Sequence, residues 1–304
     1  MSLLLPQNFV RNVTQAFAPN GKRWLAELPD RLAEAARRWN LTLGEPFLLS
    51  YNYVCAASRA DGSPAVLKLG FPNRELTSEM AALKLYNGRG APRLYESDPE
   101  AGTLLEERLF PGTMLHEHGL DDQAQTAIAA AVMKQIWQPA PPGEPLITLR
   151  GWFDELKKLR PAFGGGTGPF PPKLVEAAES LLPGLFAESG EPVVLHGDCH
   201  HYNILESERG WLIIDPKGVI GPAGYEVGPL MLNPWADPTR RPDALQIAER
   251  RLEILAERLG IERRILRAWS ICHSLLSAWW DLAEDGSGGE YSMACGELFL
   301  STRE

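Results

Sequence analysis

Residues 193–218 read VVLHGDCHHYNILESERGWLIIDPKG. Val193-Val194-Leu195 is a short apolar run entering a polar loop, 196–203. Ile204-Leu205 and residues 211–214 have the character of two hairpin arms around a turn at 207–210, and Asp215 follows the second arm directly. This order predicts that Asp198, Asn203 and Asp215 project from neighbouring strand ends and loops into one space. Three oxygen-bearing side chains so placed suit a hard cation. Magnesium takes oxygen ligands and keeps water and phosphate oxygens in its shell. Asn203 and Asp215 are its expected ligands, and Asp198 faces the attacking hydroxyl. A free aspartate has a pKa near ~3.9, too weak a base to deprotonate an alcohol outright. Asp198 is expected to orient the hydroxyl and accept its proton late, as a loose phosphoryl-transfer transition state requires.

Upstream, an apolar stripe at Trp24, Leu25, Leu28, Leu32, Ala35, Ala36 and Trp39 predicts a helix, with Pro29 as a boundary or kink. Strands are expected at 47–49, 53–57 and 65–69, the last two joined by a tight turn at Asp61-Gly62. A helix over 74–87 ends at Gly88, and two further strands follow at 93–96 and 103–106. After Pro111-Gly112 helical patterns take over, at 123–137, 151–160, 173–186, 243–259 and 262–282. Pro/Gly-rich loops at 139–145 and 164–172 separate them, and 193–215 is the one strand-forming part of this half. Strands lead and helices follow, an α+β layout of two lobes, 1–108 and 109–304.

The composition narrows the function. With 304 residues, 44% hydrophobic and 23% charged, the chain is long enough for two domains and ordinary enough to be globular. The net charge of −9 is unevenly spread: +1 over residues 1–108, −10 over 109–304. That sign disfavours a nucleic-acid partner and favours a cationic small molecule. No run approaches the ~20 apolar residues of a membrane span, and residues 271–282 are interrupted by His273 and Asp281. The first ten residues lack a basic, then apolar, leader, so the expected compartment is the cytoplasm. Four cysteines without a CxxC pair fit a reduced protein. Zinc is disfavoured, because His196, Cys199, His200 and His201 fit no zinc-site spacing and no second Cys/His cluster exists. Gly164-Gly165-Gly166 is followed by no GK[ST] and reads as a flexible connection.

The order His196-Gly197-Asp198, then Asn203, then Asp215 beyond a hairpin matches the protein-kinase catalytic layout. The HGD form resembles small-molecule kinases of the aminoglycoside phosphotransferase superfamily. IDPKG at 214–218, YEVGPL at 225–230, GRGAPRLYE at 88–96 and SAWW at 277–280 make the chain most similar to the aminoglycoside/hydroxyurea antibiotic resistance kinases, the streptomycin 6-phosphotransferase group. The resemblance implies a two-lobed protein-kinase-like fold, with a small antiparallel-sheet N-lobe and a mostly helical C-lobe. ATP and Mg2+ would lie between the lobes, and the γ-phosphoryl group would pass to a hydroxyl of a streptomycin-like aminoglycoside. On it, Lys68 contacts the nucleotide phosphates, with Glu79 rather than Glu75 as ion-pair partner. Residues 105–109 resemble the hinge that bonds adenine, giving Glu107 and Leu109. Glu226 braces the catalytic loop, and Lys217 either touches phosphate or caps that loop. Asp281, Glu284 and Asp285 stand where the family binds its cationic antibiotic. The resemblance leaves open a monomer or a dimer.

Three departures stand out. The turn after the first strand reads SYNYV, without GxGxxG, and Cys199 and Tyr202 replace the usual apolar and small residues of the loop. Asp215 opens no DFG and no APE-bounded activation segment, which argues against a protein substrate. A kinase of another small metabolite, hydroxyurea included, is the nearest alternative. A non-catalytic nucleotide-binding pseudokinase is a further one, and the intact set Lys68, Asp198, Asn203 and Asp215 argues against it.

Overall fold

The computed structural model describes residues 3–188, 190–234 and 241–303, and the side chains of Glu284 and Asp285 fall outside what it describes. The chain opens with two helices, α1 (Gln7–Ala16) and α2 (Gly21–Arg38), then β1 (Thr42–Pro46), β2 (Tyr53–Ser58) and β3 (Pro64–Leu69). Helix α3 (Arg74–Tyr86), β4 (Leu94–Asp98) and β5 (Thr103–Glu107) complete the first part. The five strands form one antiparallel sheet in the order β1-β2-β3-β5-β4.

Strand alternation divides this sheet chemically. Cys55, Ala57, Ala65, Leu67, Leu69 and Leu105 face outward into a core closed by Phe9, Val13, Trp24, Leu28, Leu32 and Ala35 of α1 and α2. The opposite face carries Lys68 and Leu104, directly paired across β3 and β5. Leu104 packs with Leu76, Met80 and Leu83 of α3 in the larger core that runs into the helical half. Asn73 caps α3 by accepting from the Leu76 N–H at 2.9 Å, and left-handed Asn87 ends it.

The second part comprises β6 (Pro111–Met114), α4 (Asp122–Ile136), β7 (Ile147–Thr148), α5 (Leu149–Asp154), α6 (Leu159–Ala162) and α7 (Pro172–Ala187). It continues through β8 (Val193–Leu195), β9 (Ile204–Ser207), β10 (Gly210–Ile213), β11 (Val219–Gly221), α8 (Val227–Leu232), α9 (Ala244–Leu259), α10 (Arg263–Asp285) and α11 (Glu290–Leu300). Its strands form two three-stranded sheets, β10-β9-β6 and β7-β11-β8. Helix α10 packs against α7, α8, α9 and α11, with Trp269, Leu275 and Leu276 buried along it. Among the described residues no helix is long and apolar enough to cross a membrane.

Several local expectations are corrected. Pro29 neither ends nor divides α2, because buried Trp24, Leu28, Leu32 and Ala35 hold the helix on both sides of it. The strand expected at 47–49 lies at Thr42–Pro46, an edge strand exposed at four of five positions and so without an apolar signal. Phe47 extends its ladder by one bond, donating to the Val54 carbonyl at 2.9 Å. Pro111-Gly112 does not merely end the first part; it opens β6, which pairs with β9. The expected helix at 151–160 starts at Leu149, where Thr148 caps the Gly151 N–H, and tightens into a 3-10 turn over Glu155–Lys158.

Ser78 and Arg209 make two of the ties that hold the parts together. The Ser78 hydroxyl of α3 donates to the Gly218 carbonyl and accepts from the Ile147 N–H at 3.0 Å. Gly218 has a φ of +65°, and a Cβ there would stand 2.3 Å from the Ser78 carbonyl oxygen, so only glycine permits the approach. Arg209, at the turn between β9 and β10, donates to the Gly88 carbonyl at 2.7 Å and pairs with the Glu107 carboxylate.

The outer core should be the more fragile surface of the sheet. Leu28→Ala, at a fully buried position, is expected to lower unfolding free energy by about 2–5 kcal/mol. Leu48→Ala, at a residue 95% exposed, should change it by less than about 0.5 kcal/mol. Urea midpoints of the two variants against the parent check both values.

Candidate active site

Strand β8 delivers the chain into the loop 196–203, and buried hydrogen bonds shape the loop from beneath. The His196 and Gly197 N–H groups donate to the two Glu226 carboxyl oxygens at 2.7 and 2.9 Å. His196 Nε2 donates to the Ile214 carbonyl at 2.7 Å, and its Nδ1 accepts from the Asp198 N–H at 3.1 Å. That pairing requires the neutral Nε2–H tautomer. Burial secures it, pushing the imidazole down to about 4. Gly197, at φ +86°, sits where a Cβ would stand 2.7 Å from the Val219 side chain and 3.1 Å from the Trp152 ring. The loop is closed by the Lys217 N–H donating to the His196 carbonyl at 2.7 Å.

Asp198 emerges from this braced loop with its side chain 38% exposed. His200 Nε2 stands 3.5 Å from its Oδ1. Burial works against the carboxylate, yet His200 and Lys217 beside it hold it well below the usual range, so it is ionised. Asn203 donates from Nδ2 to the Asp198 carbonyl at 3.0 Å. Its amide nitrogen is thus committed, and its Oδ1 is left as the atom able to face a cation. Asp215, in the left-handed region at φ +59°, places Oδ1 3.1 Å from Lys68 Nζ. On the other side Lys68 Nζ donates to Glu79 Oε1 at 2.6 Å. Lys68 is 3% exposed; burial opposes its charge, but Asp215 and Glu79 raise its pKa and keep it protonated.

The donor set fits magnesium. Asp215 has a half-exposed carboxylate, and the Asn203 amide oxygen has no hydrogen-bond partner among the described residues; both are hard ligands. Among the described residues no group of three or more His, Cys, Asp or Glu side chains could hold a metal alone. A cation here would complete its shell with water and substrate oxygens.

Residues 38–286 match the profile described as aminoglycoside/hydroxyurea antibiotic resistance kinase. The chain belongs to this family. It is 32% identical over 289 residues to a streptomycin 6-kinase of Streptomyces glaucescens, covering 93% of this chain and 92% of that one. It is also 32% identical over 296 residues to a hydroxyurea phosphotransferase of Kitasatospora aureofaciens, covering 92% and 81%. Among solved structures it resembles a thermostable aminoglycoside phosphotransferase APH(4)-Ia in ternary complex with ADP and hygromycin B. The TM-score is 0.60 at 15% identity, over 90% of this chain and 98% of that one. The chain therefore has the two-lobed fold of these phosphotransferases, and it is a small-molecule kinase.

The remaining expected residues of this kinase are placed as follows. Glu107 gives its N–H to the Arg93 carbonyl at 2.9 Å and turns its carboxylate to Arg209, so its side chain is occupied in joining the lobes. Leu109 lies two residues beyond the sheet, with no backbone partner among the described residues. Glu75, the alternative to Glu79, acts electrostatically on Lys217, whose charge it supports. Asp281 is exposed on the last turns of α10. Its neighbour Trp280 meets Trp152 edge-on at 5.2 Å, and the Trp152 ring lies 3.1 Å from where a Cβ on Gly197 would stand, so this end of α10 approaches the loop 196–203 through two rings. Glu284 and Asp285 were expected beside it, but their side chains lie outside the described residues. The sequence reading missed Arg209, the Trp152 contact and buried Glu106. Only Glu106 carried a signal, a charge two residues beyond Leu104 on the same face of the strand.

Two outcomes follow from the loop's bracing. His196 should show the Nε2–H tautomer by nitrogen NMR and remain neutral from pH 8 down to 5. Glu226→Ala should strand two buried N–H groups, at about 1–3 kcal/mol each, and lower the melting temperature far more than Glu226→Gln.

Proposed function

We propose that this kinase transfers the γ-phosphoryl group of ATP to a hydroxyl of a small cationic molecule of the streptomycin class. The observation that carries the reading is the Lys68–Asp215 contact at 3.1 Å. It joins the cation of β3 to the carboxylate beyond β10, beside the loop that presents Asp198. Residues 1–108 form the nucleotide lobe and 109–304 the acceptor lobe. Lys68, oriented by Glu79, binds the nucleotide phosphates, and the Leu109 backbone receives the adenine. Asn203 Oδ1 and Asp215 would hold Mg2+, whose charge would offset that of the phosphates. Asp198 accepts a hydrogen bond from the acceptor hydroxyl, orients it for in-line attack, and takes its proton as the bond to phosphorus forms. Lys217, drawn toward Asp198 and Glu75, supplies a second positive charge at the same place.

The acceptor reading rests on the streptomycin kinase among the relatives and on the −10 charge of residues 109–304, which suits a polycationic antibiotic. The hydroxyurea phosphotransferase, equally similar at 32% identity, supports hydroxyurea as the second candidate. Four buried cysteines outside any disulfide and the use of ATP fit a cytoplasmic enzyme.

Coupled ADP release from Mg-ATP, with and without streptomycin or hydroxyurea, tests this directly. Streptomycin-dependent release is expected, with the phosphate located on the product by mass spectrometry. Asp198→Asn should lose about 10²-fold or more of turnover while keeping nucleotide binding. Lys68→Met should raise the nucleotide KM and leave the acceptor KM near the parent value. ATP binding without stimulation by either acceptor would move the assignment to another metabolite. Parent-like turnover in Asp198→Asn would remove Asp198 from the chemistry.

A further inference from the structure

Tyr202 is a residue of the catalytic loop that none of these roles uses. The bracing of the loop by His196 and Glu226 engages backbone atoms and no part of the Tyr202 side chain. Its own N–H donates to His200 Nδ1 at 3.3 Å, and Nε2 of that imidazole stands 3.5 Å from Asp198 Oδ1. The Tyr202 ring meets the same imidazole edge-on, with 5.7 Å between centroids. It also packs against the His116 ring at 4.7 Å, tilted by 51°. His116 is in turn tied to the loop, its N–H donating to the His201 carbonyl at 3.4 Å. Tyr202 is thus a ring fixed by two neighbours and set one imidazole away from the Asp198 carboxylate. It is nonetheless 38% exposed, and beyond Phe110 it is the one exposed Phe, Tyr or Trp among the described residues.

An aromatic ring left open beside a reacting group is a contact surface. It offers a rigid, largely apolar area governed by two side-chain torsions, so covering it costs little ordering. We propose that Tyr202 is a specificity-determining residue, the shelf on which a saturated ring of the acceptor lies while one of its hydroxyls meets Asp198. It selects an acceptor built on a sugar or cyclitol ring over a small acyclic one. The inference rests on the acceptor site proposed above. A molecule held at Asp198 must extend past the His200 imidazole to reach the Tyr202 ring. A substituted sugar or cyclitol does so, and laying its C–H side on the tyrosine removes apolar surface of both from water. Hydroxyurea is no larger than the imidazole itself and gains nothing there. Contact made away from the reacting hydroxyl also holds that hydroxyl in place, so it acts on turnover as well as on affinity.

The test is kcat/KM for streptomycin and for hydroxyurea in the parent, Tyr202→Phe and Tyr202→Ala, with calorimetric binding of streptomycin and of ADP to each. Phenylalanine keeps the ring, and alanine removes it. Ala is expected to lower both the affinity and kcat/KM for streptomycin by about tenfold or more. Phe should stay within about threefold of the parent in both. ADP affinity, and hydroxyurea kcat/KM where the parent turns it over, should stay within about twofold in either variant. A role confined to positioning His200 beside Asp198 would slow both acceptors alike and leave streptomycin affinity unmoved, and that result overturns the proposal. So does parent-like streptomycin affinity in Ala, or a loss in Phe as complete as in Ala. Failure of the parent to bind streptomycin is a different result, which overturns the acceptor reading itself and this inference with it.

Discussion

A buried lysine between two carboxylates organises this molecule. Lys68 is almost wholly excluded from water, and an unpaired ammonium there would be strongly destabilising. Glu79 and Asp215 compensate it from opposite sides at 2.6 and 3.1 Å. The three residues belong to β3, α3 and the turn beyond β10, so satisfying one charge requires a strand, a helix and a loop of the other lobe to converge. The Gly218–Ser78 approach permits that convergence sterically, and Arg209 repeats it at the other end of α3 by gripping Gly88 and Glu107.

Around this charge the catalytic loop is built differently, from buried groups bonded to its own backbone. His196 is buried and uncharged, and both its ring nitrogens are spent on backbone atoms. Glu226 spends both oxygens on backbone N–H groups. The loop thus reaches Asp198 with its bracing groups committed to backbone, leaving the ionised Asp198 carboxylate partly exposed. Asn203 extends the division of labour, using its amide nitrogen on the loop and keeping its oxygen for the cleft.

Much of the site was legible because its residues are close in sequence or tied by short-range geometry. The HGD-to-Asn spacing and the hairpin before Asp215 lie within 20 residues, and a two-arm hairpin leaves little freedom in where its ends point. Lys68 and Glu79 were legible for a similar reason, one strand and the helix after it. Elements whose stability comes from distant partners were not. Strand β1 is exposed and polar, visible only through its pairing with β2. Pro29 reads as a break, but packing of α2 on the sheet's outer face overrides it. The Arg209–Glu107 pair spans 102 residues and has no local signature.

By itself the amino-acid sequence determined the α+β order, which residues meet around the loop 196–203 and the ion-pair partner of Lys68, since each follows from local periodicity, motif spacing or resemblance. Tertiary structure alone decided that α3 packs into the core shared with the helical half, that Glu107 turns outward to Arg209, and that Glu106 turns inward beside Lys68. Strand register and burial assign a side chain to one face or the other, and both arise only when strands distant in sequence come together.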